Sequence, residues 1–164
     1  MSLNIIRIDK IQQFARKLQK ARKRIVLVGG CFDVLHTGHI TFLQNAKLQG
    51  DSVVVLLEHD ETIKKQKGQA RPIHTQQERA FMLSALRPVD HIILLPADPA
   101  NSLYDQVILA LKPAIIATTA GDPNKKHKIR QAKMSRAKVV EVADYIENQS
   151  TSKLLTLLGT KAPL

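Results

Sequence analysis

Five short apolar runs, separated by stretches with helical spacing, constrain the fold of this chain more than any other feature. Residues 25–28, 53–57, 91–95, 114–117 and 138–142 read as strands. The run Ile25-Val26-Leu27-Val28 and the run over 53–57 carry no polar alternation, the mark of strands covered on both faces. Between the runs, Ile11, Phe14, Ala15 and Leu18 recur at helical spacing and predict a helix over 9–23. Further helices are predicted over 38–48, from Thr75, over 101–111 and from Ser150. Thr75 with Glu78 three residues on is a capping-box pattern. Residues 61–74 are polar and lysine-rich and read as a loop. Strands alternating with helices give an α/β fold: a doubly wound, Rossmann-like, five-stranded parallel sheet with helices on both faces. Ligands in such folds bind beyond the carboxyl ends of the strands, where the strand order reverses.

A chain of 164 residues is enough for one hydrophobic core, so residues 1–164 are read as a single domain, with 1–24 a basic helix packed on it. No apolar run approaches the ~20 residues of a membrane helix, and the start lacks a basic-then-apolar leader. Cys31 is the only cysteine, so neither an intrachain disulfide nor a cysteine metal cluster can form. These features set the expectation of a cytoplasmic protein with no membrane partner.

The net charge of +11 admits two readings: a basic, non-catalytic nucleic-acid-binding domain, or an enzyme for anionic substrates. The basic residues gather over 16–24 and 125–138, without interleaved aromatics. Aromatic residues make up only 4% of the chain, which leaves few platforms for stacking single-stranded bases. The enzyme reading is therefore preferred.

Chemistry concentrates in Gly30-Cys31-Phe32-Asp33-Val34-Leu35-His36-Thr37-Gly38-His39, where a strand hands over to a helix. A helix N-terminus presents free N–H groups and partial positive charge to a phosphate. His36 is expected just before the helix and His39 in its first turn, with Gly38 allowing close approach of a ligand. Two histidines also suit a metal, but no third ligand stands at matching spacing. Cys31 reads as a small buried residue rather than a nucleophile.

This segment, with its His-x-Gly-His core, resembles the signature of the cytidylyltransferase-like nucleotidyltransferases. Lys67-Gly68, Arg71-Pro72 and Glu78-Arg79 are similar to that family's lysine-glycine loop and following arginine. Ala120-Gly121-Asp122 resembles its Gly-Gly-Asp turn, and Ser150-Thr151-Ser152 its late helix start. The motifs stand in the family's order over nearly the whole chain. Within the family they look most like the adenylyltransferase domains of ADP-heptose synthesis.

The resemblance implies transfer of a nucleoside monophosphate from ATP or CTP to a phosphorylated acceptor such as heptose 1-phosphate, with release of pyrophosphate. It implies catalytic roles for His36, His39, Lys67 and Arg79. Gly30, Cys31, Phe32, Asp33, Gly38, Gly121, Asp122, Ser150 and Thr151 would border the nucleotide, and Mg2+ would arrive with ATP or CTP. Several positions keep a second reading from the residues alone. Lys67 suits a solvated surface, Arg79 a helix ion pair, and Arg71 a turn. Asp33 suits an Asx turn or a place beside Mg2+, and Asp122 either the nucleotide or its own turn. Ser150 suits plain helix capping.

The sequence departs from the heptose enzymes after the fourth strand, where Thr119 stands for their lysine and Pro123 for their aromatic residue. A CTP-dependent enzyme for glycerol 3-phosphate or another alcohol phosphate is the alternative this leaves open. A homodimer through the first or last helix is also open.

Overall fold

The computed structural model describes residues 4–144. In chain order the elements are β1 (Ile5–Arg7), a 3-10 turn (Ile8–Lys10), α1 (Ile11–Lys20), β2 (Ile25–Gly30), α2 (Thr37–Lys47), β3 (Ser52–Leu57) and α3 (Asp60–Lys67). They continue with α4 (Gln76–Ser84), β4 (His91–Leu94), α5 (Asn101–Leu111), β5 (Ile115–Thr119), α6 (Lys125–Ser135) and β6 (Lys138–Ala143). The strands form one parallel sheet in the order β1-β4-β3-β2-β5-β6.

The first four apolar runs form the middle of this sheet, where both faces are covered, and the fifth forms the edge strand β6. All six residues of β3 are buried. Side chains alternate between faces along a strand, so each run feeds two cores. Leu27, Val54 and Leu56 meet Phe14, Leu18, Ile108 and Leu111 from α1 and α5 on one face. Val26, Val28, Val53 and Val55 meet Phe42, Leu43 and Leu83 from α2 and α4 on the other. The apolar quartet of α1 is buried as its spacing predicts, although the helix is shorter than 9–23 and follows a 3-10 turn.

Two expectations are corrected. Among the described residues the sheet has six strands, because Ile5–Arg7 adds an edge strand that pairs Ile5 with Ile92. Three residues are too few to show a period. The first part of 61–74 is helix α3. It is capped by the His59 ring, which accepts from Glu61 N–H at 3.2 Å, and it has acids in its first turn and lysines in its last, the arrangement that suits the helix dipole. Only Thr62 and Ile63 of this helix are buried, so its apolar period is nearly silent. The basic stretch from Lys125 is likewise helical and buries only Ala132. Ser150, Thr151 and the helix predicted there lie outside the described residues.

The chain steps outward from β2 through β3 to β4, then returns past β2 to β5. The crevice between the carboxyl ends of β2 and β5 is therefore the point at which the strand order reverses.

Candidate active site

A cavity of about 740 Å³ opens at that edge of the sheet. Gly30, Cys31, Phe32, His36, Gly38, His39, Lys67 and Asp122 all line it. These eight positions, scattered over nearly a hundred residues, are brought to one place by the right-handed crossovers.

The floor is the junction of β2 with α2. A Cβ at Gly30 would stand 3.0 Å from the ring of Phe32, so a side chain there would crowd that ring. Phe32 is buried, takes a left-handed φ of 45° and sets its ring against His39 with centroids 5.3 Å apart. His36 occupies the N-cap position of α2 in extended conformation, and its carbonyl accepts from the N–H groups of His39 and Ile40. One helical turn then places the two imidazoles face to face, 3.9 Å apart and 27° from parallel.

Both Nδ1 atoms of this pair are buried and, among the described residues, have no hydrogen-bond partner. Burial lowers the pKa of His36, and burial reinforced by His36 and Lys67 lowers that of His39 to about 3. Both rings are therefore neutral at pH 7, each with one N–H donor and one free lone pair. Both rings line the cavity, so the pair borders the space a polar ligand would occupy. Lys67 ends α3 and lines the same cavity with its exposed side chain. Cys31 is half-buried, and burial raises its thiol pKa, so it stays protonated and unreactive.

Two residues predicted to contact the nucleotide are placed elsewhere. Asp33 is 1% exposed. Its carboxylate takes the Arg71 Nε–H at 2.6 Å and the N–H groups of Ile73 and His74 at 3.0 and 3.2 Å. It ties down the 71–74 loop and turns no oxygen to a metal or phosphate. Arg79 is fully buried, and its guanidinium donates to the carbonyls of His74, Cys31 and Glu58 and to the Asp60 carboxylate. Four of its five N–H donors are thus spent inside the protein, which corrects the direct catalytic role expected of it. The two residues form one buried frame that pins the loop after β2, the end of β3, the start of α3 and the 71–74 loop together. Thr75 and Glu78 form the predicted capping box beside it.

On the β5 side, Gly121 turns the chain with φ +71°. Asp122 accepts from Thr118 Oγ1, Lys128 Nζ and Asn124 N–H at 2.6–2.8 Å. Burial acts to raise the pKa of Asp122, but these donors outweigh it and hold the carboxylate below its ordinary range. Its carboxylate thus shapes its own turn. Thr119, His127 and Lys128 line the cavity next to it. On the β3 side the cavity meets Glu58, one residue past the strand, and the Tyr104 hydroxyl donates to both Glu58 oxygens at 2.8 and 2.9 Å.

Sequence reasoning missed Glu58, Tyr104 and Lys128. Glu58 was findable, since it directly follows a strand whose carboxyl end was expected to face ligand. Among the described residues no group of three or more His, Cys, Asp or Glu side chains could hold a metal ion, and no helix is long and apolar enough to cross a membrane.

The model of the family described as cytidylyltransferase-like matches residues 27–156. The chain is 33% identical over 151 residues to the bifunctional protein HldE of Wolinella succinogenes, covering 92% of this chain and 30% of that one. It is 36% identical over 149 residues to the HldE of Helicobacter pylori, covering 91% and 30%. It thus spans under a third of the length of these curated relatives. Among solved structures, the lipopolysaccharide core biosynthesis protein from Thermoplasma volcanium superposes with a TM-score of 0.62 at 28% identity, over 75% of this chain and 98% of that one. The pantoate-beta-alanine ligase from Francisella tularensis shares the fold, with a TM-score of 0.66 at 17% identity over 92% and 69%.

Proposed function

The chain belongs to the cytidylyltransferase-like family, and from that premise we propose that it transfers a nucleoside monophosphate from ATP to the phosphate of a sugar phosphate such as heptose 1-phosphate. The observation that carries this reading is the stacked pair His36–His39, which lines the cavity at the start of α2. The sequence resemblance to the adenylyltransferase domains of ADP-heptose synthesis supplies the acceptor class. Similarity to a lipopolysaccharide core biosynthesis protein is in keeping with it.

In the reaction an oxygen of the acceptor phosphate attacks the α-phosphorus, and the bond from that phosphorus to the β-phosphate's bridging oxygen breaks. A phosphomonoester has its second pKa near ~6, so the nucleophile is already anionic and no general base is needed. The protein's task is to position two anions and to hold the charge that builds on the α-phosphate and on departing pyrophosphate. His36 and His39 supply donors on one side of the phosphates, and the N-terminus of α2 supplies backbone N–H groups. Lys67 brings the positive charge that lets the two anions approach. Asp33 and Arg79 act as positioning residues, holding the loops that carry these groups.

Magnesium is commonly held by one or two carboxylates plus substrate phosphates. The carboxylates of Asp33 and Asp122 are engaged by protein donors, so these residues do not fit a resident metal. Mg2+ belongs to the substrate, travelling with the triphosphate.

The test is pyrophosphate release with ATP or CTP against a panel of phosphorylated acceptors. Turnover with ATP and a sugar 1-phosphate is expected. Turnover with CTP and glycerol 3-phosphate would replace the proposed substrates, and silence with every pair would overturn the reading.

A further inference from the structure

We infer that the Glu58–Tyr104 pair is the subsite that selects the acceptor, receiving the uncharged, hydroxyl-bearing body of the sugar while its phosphate lies toward Lys67. The inference rests on the nucleotidyl-transfer reading above and deepens it.

Glu58 is a carboxylate set into the cavity wall, and burial raises its pKa against the pull of the Tyr104 hydroxyl and of Arg79. Placing a carboxylate there costs free energy unless donors compensate it. The donors supplied by the protein are few. Tyr104 offers a single O–H, shared between both oxygens at 2.8 and 2.9 Å. Arg79, the neighbouring guanidinium, turns instead to the Glu58 main-chain carbonyl and to Asp60. Among the described residues no Lys, Arg or His stands within ion-pair distance of the Glu58 carboxylate. A carboxylate offers about four lone-pair sites, so acceptor capacity is left facing the cavity.

The surroundings narrow what can use it. The wall beside Glu58 carries Thr62, Gln66 and Asn101, uncharged groups that exchange hydrogen bonds with hydroxyls. Asp98, on the same wall, is already paired with Lys65. An anionic group is repelled here, so a phosphate is driven to the end of the cavity that holds His36, His39 and Lys67. A molecule with a phosphate at one end and neutral hydroxyls at the other fits this polarity. A pair of sugar hydroxyls would complete the hydrogen bonding of Glu58, with Tyr104 fixing the orientation of the carboxylate.

The decisive experiment is calorimetric titration of the full chain with glucose 1-phosphate, mannose 1-phosphate, glycerol 3-phosphate, phosphocholine and inorganic phosphate, with and without a non-hydrolysable ATP analogue. At least one sugar 1-phosphate is expected to bind about tenfold or more tightly than inorganic phosphate, the scale of hydrogen bonds to a charged group. Glu58→Gln and Tyr104→Phe should each remove most of that advantage. Their affinity for the ATP analogue should stay within about twofold, and their thermal midpoints close to the parent's. Tyr104→Phe deletes one oxygen and decides the matter alone if Glu58→Gln does not fold.

Four results would overturn the inference: sugar phosphates bound no better than inorganic phosphate, unchanged sugar binding in both variants, a loss confined to the ATP analogue (which would assign the pair to the nucleotide's ribose), or a Glu58-dependent preference for phosphocholine. The titrations without nucleotide read the subsite directly. Failure of the parent chain to bind the ATP analogue would count against nucleotidyl transfer and is separate from all four.

Discussion

The stacked histidines and the Asp33–Arg79 frame both engage the segment that follows β2, yet they differ in one decisive way. His36 and His39 each keep a buried nitrogen without a partner among the described residues. Asp33 accepts from three donors, and Arg79 spends four N–H groups on four acceptors. Polar rings that line a cavity can meet a ligand, while satisfied capacity in the interior only holds the wall in place. Both sets look equally polar and equally site-like in sequence, so satisfaction of hydrogen bonds, rather than residue type, separates contact from support.

The largest expected effect tests the unsatisfied side. His36→Ala and His39→Ala should each lower turnover by about 10²–10³, the scale of losing one charge-stabilising donor. Neither should cost much stability, because each removes a desolvated, unpaired nitrogen. Steady-state pyrophosphate release together with thermal melts reads both quantities. A variant that melts early yet keeps its turnover would reverse the comparison.

The next effect tests the satisfied side and should show the opposite pattern. Asp33→Asn leaves the Arg71 guanidinium buried beside a neutral amide, and Arg79→Ala leaves the carbonyls of residues 31, 58 and 74 without their donor. Each is expected to cost about 3 kcal/mol or more, the range for breaking a buried charge pair or stranding buried acceptors. Urea denaturation measures it. Turnover per folded molecule should fall far less than in the histidine variants; an equal fall at unchanged stability would return Arg79 to direct contact with phosphate.

The same contrast explains what could be read from sequence. Central strands were legible because burial on both faces leaves solid runs such as 53–57, and the Thr75–Glu78 cap was legible because it is local. Helices α3 and α6 were not, since they bury only two residues and one residue respectively; α3 is helped instead by its cap and the placement of its charges. The eight cavity-lining positions were legible as motifs. The true place of Arg79 was not, because its acceptors come from three separate segments that meet only in the fold. Glu58 and Tyr104 stand 46 positions apart, and no local pattern pairs them.

A smaller effect separates the β5 side from the imidazoles. Lys128 neutralises Asp122 and lines the cavity, as Thr119 does. Lys128→Met should weaken binding of the ATP analogue by up to about fivefold, the upper range for a partly exposed charge, and leave turnover at saturation nearly unchanged. A loss of turnover comparable to that of the histidine variants would make Lys128 part of the reacting centre. Calorimetry with saturating-substrate kinetics distinguishes the two.

The smallest effect is carried by protons, and its sign differs between the free and the bound protein. In the free protein His39 titrates at about 3, lowered by burial, by His36 and by Lys67 against the weak opposing pull of Asp33. The unfolded chain takes up its proton near ~6.5. As pH falls below about 6.5 the unfolded state therefore binds more protons, and stability falls with it. His36 and the half-buried His91 shift in the same direction, so His39→Ala should flatten this slope without abolishing it. A bound triphosphate brings negative charge to the same rings and raises their proton affinity. Binding of the ATP analogue should then take up a fraction of a proton and strengthen as pH falls from 8 to 6, by less than tenfold per pH unit. Titration in two buffers of different ionisation enthalpy measures the uptake, and His36→Ala with His39→Ala should remove it. Proton release on binding, or uptake that survives both substitutions, would mean that the triphosphate lies away from the imidazole pair.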